Sequence, residues 1–433
     1  MTQLLKAGLE AADPATGIHR TCTVENQTLV IGKRRYRLSK YERIVLVGAG
    51  KASGAMAKAV QQLLGNRLDK GLIVVKDLPT RPLKNIETRQ AGHPSPNSQS
   101  LRAGKIVQQF VQSLTNKDLL IVLISGGASS LLAAPAAGLT LKDNQQTTQL
   151  LLNSGATIQE MNVIRKHLST IKGGQLAVST SATIISLLLS DVPGDDLATI
   201  GSGLTVADPS TFLQARHILE KYHLWNRLPL PVKHHLKMGM TGVVPETPKP
   251  DAPRLQHVQH VIIGNNQLAV QHIKKKARQL GLHPSIQTPF LQGEAQKVGN
   301  TIATLARDMT GISKTIHRPS LLIWGGEPTV TVTGNKGKGG RAQECALSVA
   351  IGMAGLSKMI MAGFGTDGSD GPTDVAGAIV DGKTFVRAKR KNLQAEKFLK
   401  SHNSYTFFKK AGGHIKTGPT GTNVNDIYLL LAL

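Results

Sequence analysis

The sequence predicts an α/β protein of two domains. Three observations carry this: apolar runs of strand length alternate with amphipathic helical stretches, glycine-rich loops follow those runs, and 433 residues exceed the length at which a single core keeps growing. Strands apolar along their whole length favour a mainly parallel sheet covered by helices on both faces. At 40% apolar residues the chain can bury two cores.

Taken in order, the first fourteen residues carry Glu10 where a secretory leader needs an apolar stretch, so a soluble cytoplasmic protein is expected. Residues 44–47 read as a strand. Residues 52–64 read as a helix with Ala52, Met56, Ala59, Val60 and Leu63 on one face and Gly65 as its stop. Further strands fit 72–75, 119–124 and 184–189. Thr157-Ile-Gln-Glu160 is a capping box opening a helix with Asn162, Arg165 and Lys166. Asp208-Pro209 reads as the N-cap and first residue of a helix over 210–222. Residues 241–253 hold Pro245, Pro248, Pro250 and Pro253 without periodicity, which predicts a linker and domains of 1–243 and 254–433. Beyond it, strands fit 258–263, 320–324, 359–363 and 427–431, and helices fit 267–280 and 295–309. Residues 329–332 alternate and should pair nearby. No internal repeat or low-complexity tail is visible.

Composition narrows the function. Lys and Arg number 52 against 27 acidic residues, a formal charge of +25 that attracts anions. Aromatic residues are only 3%, and the cations are scattered rather than gathered into a stripe with stacking platforms, so nucleic acid is not the expected ligand. Cys22 and Cys345 are too few for a disulfide framework or a cysteine zinc site. The longest apolar runs, such as 184–189, are far short of a membrane span, so no membrane partner is expected.

Seven loops rich in small residues bear the chemistry: Val47-Gly-Ala-Gly-Lys51, Ser125-Gly-Gly127, Ser190-Asp191-Val-Pro-Gly194, Gly325-Gly-Glu-Pro328, Gly337-Lys-Gly-Gly-Arg341, Gly365-Thr-Asp-Gly-Ser-Asp-Gly-Pro372 and Thr417-Gly-Pro-Thr-Gly-Thr-Asn423. Backbone without bulky side chains lets N–H groups reach an anion, and a helix starting there adds its positive end, which points to phosphorylated ligands. The first loop is neither a P-loop, since Val45 and Ala52 stand where Gly and Ser/Thr belong, nor a dinucleotide turn, since Ser53 replaces the third glycine. Lys51 at a helix N-terminus either neutralises a bound anion or is a solvated cation. Gly127-Ala-Ser-Ser-Leu131 lacks the last glycine of a nucleophile elbow, which disfavours a serine hydrolase. Asp191, after an apolar strand, can accept a hydroxyl proton or bind magnesium, while Asp195 and Asp196 either join it or cap the turn. Glu327 and Arg341 bracket a short strand, and a hairpin there would return them to one edge, either as a ligand clamp or as a plain salt bridge. Asp367, Asp370 and Asp374 lack EF-hand spacing; Mg²⁺ or ribose contacts and an Asx turn both remain open. His93, alone in its loop, reads as structural.

These loops, with Ala91-Gly-His-Pro-Ser-Pro-Asn97, Gly201-Ser-Gly203, Gly371-Pro-Thr-Asp374 and Thr417-Gly-Pro-Thr-Gly-Thr-Asn-Val-Asn-Asp426, in this order and spacing, resemble the glycerate 2-kinase family, whose C-terminal half is called the MOFRL domain. The resemblance implies phosphorylation of D-glycerate on its 2-hydroxyl by ATP with Mg²⁺. It also implies a Rossmann-like N-terminal domain, a smaller α/β C-terminal domain, and a site in the cleft between them. Lys51 and Arg341 correspond to the family's essential cations, and Asp191 and Glu327 to its acidic catalytic or substrate groups. Ser125, Gly126, Gly127 and Ser129 are then candidate substrate contacts, and Gly48, Gly50, Asp367, Thr420 and Asn423 candidate nucleotide contacts. A monomer or dimer is expected. The competing expectations are a nicotinamide-dependent hydroxypyruvate reductase and a non-catalytic polyanion-binding protein.

Overall fold

A computed structural model describes the chain apart from Thr80, residues 311–317, Thr333, Asn335 and Lys336. The chain divides into two compact units, one of Gly17–Ile263 and one joining Met1–Thr16 to Gly264–Leu433. No helix among the described residues is long and apolar enough to cross a membrane.

The first unit opens with an antiparallel meander of β1 (Cys22–Glu25), β2 (Thr28–Ile31) and β3 (Arg34–Arg37). A six-stranded sheet follows, built from β4 (Arg43–Ala49), β5 (Lys70–Val75), β6 (Ile86–Gln90), β7 (Asp118–Ile124), β8 (Thr183–Leu189) and β9 (Val258–Gly264) in the order β6-β5-β4-β7-β8-β9. From β6 to β8 every registered pair is parallel. All seven residues of β7 are buried, as a strand covered on both faces requires. From β4 the chain runs outward to β5 and β6, then returns to β7 on the other side of β4. Strand order therefore reverses between β4 and β7, and ligands of open α/β sheets bind at the carboxyl ends of such strands.

The helix Ser53–Leu64 buries Met56, Ala59 and Val60, with Leu64 rather than Leu63 completing the face, and ends at Gly65. Asn97 and Ser100 form a capping box on the helix Ser98–Gln112, and Thr157 and Glu160 form one on Ile158–His167. The expected cap at Asp208 is not found. The helix is Phe212–Lys221 and Thr211 caps it, its hydroxyl accepting from Gln214 N–H. Asp208 is 1% exposed and instead accepts from Ser210 Oγ at 2.7 Å, Thr247 Oγ1 at 3.0 Å and Lys166 Nζ at 3.4 Å. Those bonds tie residues 241–253 to this unit, with Asp208 N–H donating to Pro248 O and Glu246 accepting from His167. The division between units falls after this stretch because β9 joins the parallel sheet.

In the second unit, β10 (His283–Leu291), β11 (Ser320–Gly326), β12 (Met359–Gly365), β13 (Gly377–Asp381), β14 (His414–Ile415) and β15 (Asp426–Ala432) are ordered β10-β11-β15-β12-β13-β14. Among the described residues of this sheet β10 and β11 pair in parallel and the other registered pairs are antiparallel. The fully buried β15 occupies the centre, and its first residue, Asp426, lies opposite both Gly326 of β11 and Gly365 of β12. The helices Ala295–Thr310 and Arg341–Gly352 pack on this sheet through Ile302, Ala306, Ala346 and Val349. The helix Thr2–Ala12 packs on Asn266–Gln279 so closely that a Cβ on Gly8 would lie 2.8 Å from Ile273 Cδ1. Residues 329–332 form a single bridge, Thr329 to Glu294, rather than a strand.

Candidate active site

The loops after β4, β6, β7 and β8 leave the carboxyl edge of the parallel sheet with the candidate residues of this unit. After β4, Gly50 takes φ +132° and its N–H donates to Val74 O, while Lys51 N–H donates to Gly126 O at 2.9 Å. Ala52 N–H donates to Ser125 Oγ at 3.1 Å, and Ser125 N–H returns to Ala49 O. The loops after β4 and β7 are thus laced together, and a Cβ on Gly50 would sit 2.1 Å from Ser125 Oγ. Ser125, 1% exposed and engaged in this contact, is no free nucleophile. Gly48 lies inside the sheet between Ile73 and Leu123, whereas Gly50 is at the turn.

Lys51 is exposed. The His93 ring, from the loop after β6, packs on Gly127, its Cδ2 2.7 Å from where a Cβ would stand. Burial, then Lys51 and Lys76, hold His93 below its ordinary pKa, so the ring is neutral beside Lys51. Sequence reading set His93 aside because nothing local announces that contact. Asp191 follows buried Ser190 at the end of β8 and is half-buried. Asp196 caps its turn, accepting from Ala198 N–H and Thr199 Oγ1.

Behind Gly127 lies a cavity of about 500 Å³ whose wall includes Ser95, Gly127, Ser129, Asn144, Arg165 and Lys172. Lys172 Nζ donates to Ser129 O at 2.7 Å, Ser129 Oγ at 2.9 Å and Leu132 O at 3.4 Å. Ser129 Oγ lies 2.9 Å from Ser202 Oγ, which donates to Asn162 Oδ1. Burial, and secondly Arg165, pull the Lys172 ammonium down to about 7. Lys172 went unremarked in the sequence, although Lys172-Gly-Gly174 sets a cation beside paired glycines as Gly339-Gly-Arg341 does.

The second unit gathers its own cluster around Asp426. Arg341 is the first residue of its helix, and Nε donates to Asp426 Oδ2 at 2.6 Å, Nη2 to Asp426 Oδ1 at 3.1 Å and Nη1 to Glu327 Oε1 at 2.6 Å. The expected pairing of Glu327 with Arg341 is present, and Asp426 makes it a triad. Burial opposes the guanidinium charge, but Asp426 and Glu327 overcome it and raise the Arg341 pKa. Burial raises the Asp426 carboxyl above its ordinary value, and the bidentate Arg341 guanidinium works against that rise. Asp370, 3% exposed, accepts from Ala342 N–H at 3.0 Å and from Gln343 N–H and Nε2 at 2.8 Å, filling the helix N-terminus. Its pKa is pushed up to about 7 by burial and then by Asp426, against those donors.

The register of β15 brings the remaining loops together. Thr420 Oγ1 donates to Thr366 O at 2.5 Å and its N–H to Asp367 O at 3.4 Å, so the Asp367 and Thr420 segments touch. Asp367 Oδ1 accepts from Ser369 N–H and Oγ, an Asx turn. Asn423 Oδ1 accepts from Asn425 N–H. Asp374 is exposed and bonded to Tyr405, so the three aspartates of this loop do different work. Among the described residues, no group of three or more His, Cys, Asp or Glu is placed to hold a metal ion.

Comparison with known proteins adds to this geometry. Residues 1–237 match a domain of unknown function, DUF4147, and residues 320–426 match the MOFRL family. A glycerate 2-kinase from Pyrococcus horikoshii is 39% identical over 99% of this chain and 96% of its own length. A protein of Agrobacterium vitis with a provisional hydroxypyruvate reductase name is 39% identical over 90% of this chain and 87% of its own. The crystal structure of glycerate kinase from Thermotoga maritima superposes with a TM-score of 0.88 at 37% identity, covering all of this chain and 98% of that one.

Proposed function

The chain belongs to the glycerate 2-kinase family, and from that premise we propose how its residues share the work. It is a kinase that transfers the terminal phosphoryl group of ATP to the 2-hydroxyl of D-glycerate, yielding 2-phosphoglycerate and ADP. The observation carrying the assignment of roles is that each unit builds one glycine-lined cluster around a cation: Lys51 among the loops after β4 and β7, and Arg341 at the Asp426 end of β15.

Phosphoryl transfer asks for in-line placement and cancellation of negative charge. Lys51, exposed on its loop, neutralises phosphate charge, and the backbone N–H groups of Gly126 and Gly127 support it. Arg341 spends three contacts on Glu327 and Asp426, which fix its plane; its other two N–H donors serve the migrating phosphoryl group. Asp191 orients the 2-hydroxyl and takes its proton as the O–P bond forms and the bond to the ADP oxygen breaks. Asp367, Thr420 and Asn423 line the nucleotide side. Mg²⁺ would arrive on the phosphates, which needs one or two carboxylates rather than a protein cage, and Asp367 is the loop carboxylate suited to it. There it would cancel phosphate charge. Free, buried Cys22 and Cys345 suit a reducing, cytoplasmic setting.

³¹P NMR of the product from D-glycerate and ATP tests the reaction, with NADH oxidation by hydroxypyruvate run beside it. ATP-independent NADH turnover, or phosphate on the 3-hydroxyl, would overturn the reading. Lys51→Ala and Arg341→Lys are each expected to lower kcat/KM by at least about 100-fold. A change of only a few-fold in either would remove that residue from its role.

A further inference from the structure

The cavity beside Gly127 has two cations and no acid in its wall. Among the described residues the Lys172 ammonium, in a side chain whose residue is 7% exposed, is bonded only to the neutral oxygens of Ser129 and Leu132. Arg165, half-buried, has no hydrogen bond or ion pair among the described residues, and burial lowers its pKa. The acids nearby in sequence and space are committed elsewhere: Asp208 to Lys166, Ser210 and Thr247, and Glu246 to His167 and Lys249. Two like charges set into one wall without a counter-charge are costly in the empty protein, and an entering anion relieves that cost.

We infer that Arg165 and Lys172 form the carboxylate-binding end of the acceptor site, gripping the acid group of the substrate and selecting hydroxy acids over neutral polyols. The identity of the acid rests on the kinase reading above. Position supports the assignment: Lys172 is tied to Ser129, two residues after Gly127, so the cavity adjoins the loop assigned to the reaction. Arg341 is held by Glu327 and Asp426, and its two remaining donors are already given to the phosphoryl group.

The test compares wild type, Arg165→Gln and Lys172→Met with D-glycerate, with glyceramide, which lacks the carboxylate, and with ATP. The expected result is a KM for D-glycerate raised at least about tenfold, a KM for ATP within about twofold of wild type, and a preference for D-glycerate over glyceramide reduced by the same factor. Thermal melting with D-glycerate alone should shift the wild type and neither variant, while ATP still shifts all three. An unchanged KM for D-glycerate would overturn the inference, as would a rise confined to the KM for ATP, which would give the cavity to nucleotide phosphate. Arg165 makes no side-chain hydrogen bond among the described residues, so its variant decides alone if Lys172→Met does not melt cooperatively. A wild type without ATP-dependent turnover, but with an Arg165-dependent melting shift from D-glycerate, would end the kinase reading and keep the pocket. Normal turnover with unchanged KM in Arg165→Gln would do the reverse.

Discussion

Gly50 shows how tightly single residues are constrained here. With φ at +132° and Ser125 O 2.6 Å from a would-be Cβ, Gly50→Ala must part the loops after β4 and β7. The expected cost is about 3 kcal/mol together with loss of turnover, read from urea unfolding and the ATP assay. An unchanged unfolding midpoint would contradict it. Lys172 gives a pH signature. Its folded pKa is about 7 against an ordinary 10.5, so between those values the unfolded chain binds the extra proton and stability from this group rises with pH. Below pH 7 both states are protonated and the cost of burying the charge is constant. The stability of wild type relative to Lys172→Met should therefore rise from pH 7 to pH 10; a constant difference in urea unfolding would refute this. Lys51 and Arg341 were legible in the sequence because the glycines flanking them are local signals. Lys172 and Asp426 are not singled out by the sequence, and Asp370 reads there as a metal, ribose or Asx-turn carboxylate rather than the cap of the Arg341 helix, because what distinguishes all three is burial and partners far along the chain.

Helix starts divide in the same way. Thr157 and Glu160 announce their helix, since both bonds of the box lie within four residues. Asp208-Pro209 looks like a start as well, yet the aspartate is held by Lys166 and Thr247, about forty residues away on either side. The two kinds of residue should respond differently to mutation. Thr211→Ala loses one cap, about 1 kcal/mol. Asp208→Ala strands the 5% exposed Lys166 ammonium and should cost about 3 kcal/mol or more. Urea unfolding of the pair would reverse this ranking if Asp208 were only a cap. Among strands, β4, β5, β7 and β8 were readable from their apolar runs. The antiparallel pairing of β12 and β15 was not, because strands buried on both sides carry the same apolar pattern whichever way their neighbours run.

At the level of the whole chain, the proline-rich stretch drew the expected boundary, but long-range packing divides the units elsewhere. Residues 1–16 belong with 264–433, since Gly8 is fitted against Ile273 and Ile427. A fragment of 264–433 should therefore melt without a cooperative transition, or aggregate, until a peptide of residues 1–16 is supplied, whereas a fragment of 17–263 should melt cooperatively alone. Circular dichroism would show it, and a cooperative melt of bare 264–433 would argue that the helix Thr2–Ala12 is dispensable. The two folded cores and the parallel sheet were legible from strand-length runs, and the glycine clusters marked the loops that carry the proposed site; the meander of β1 to β3 and the placement of the first helix were not legible, because neither leaves a periodic signal in the opening forty residues.

The position of β15 has a consequence for biosynthesis. It follows every other strand of its sheet in the chain, yet it sits at the centre, between β11 and β12. While the polypeptide is still emerging from the ribosome, β11 and β12 lack their shared neighbour and the helix Thr2–Ala12 waits some 250 residues for its seat, although Gly17–Ile263 can already close. Nascent chains stalled before Asp426 should thus protect the first unit from protease and leave the second open to cleavage and to chaperones.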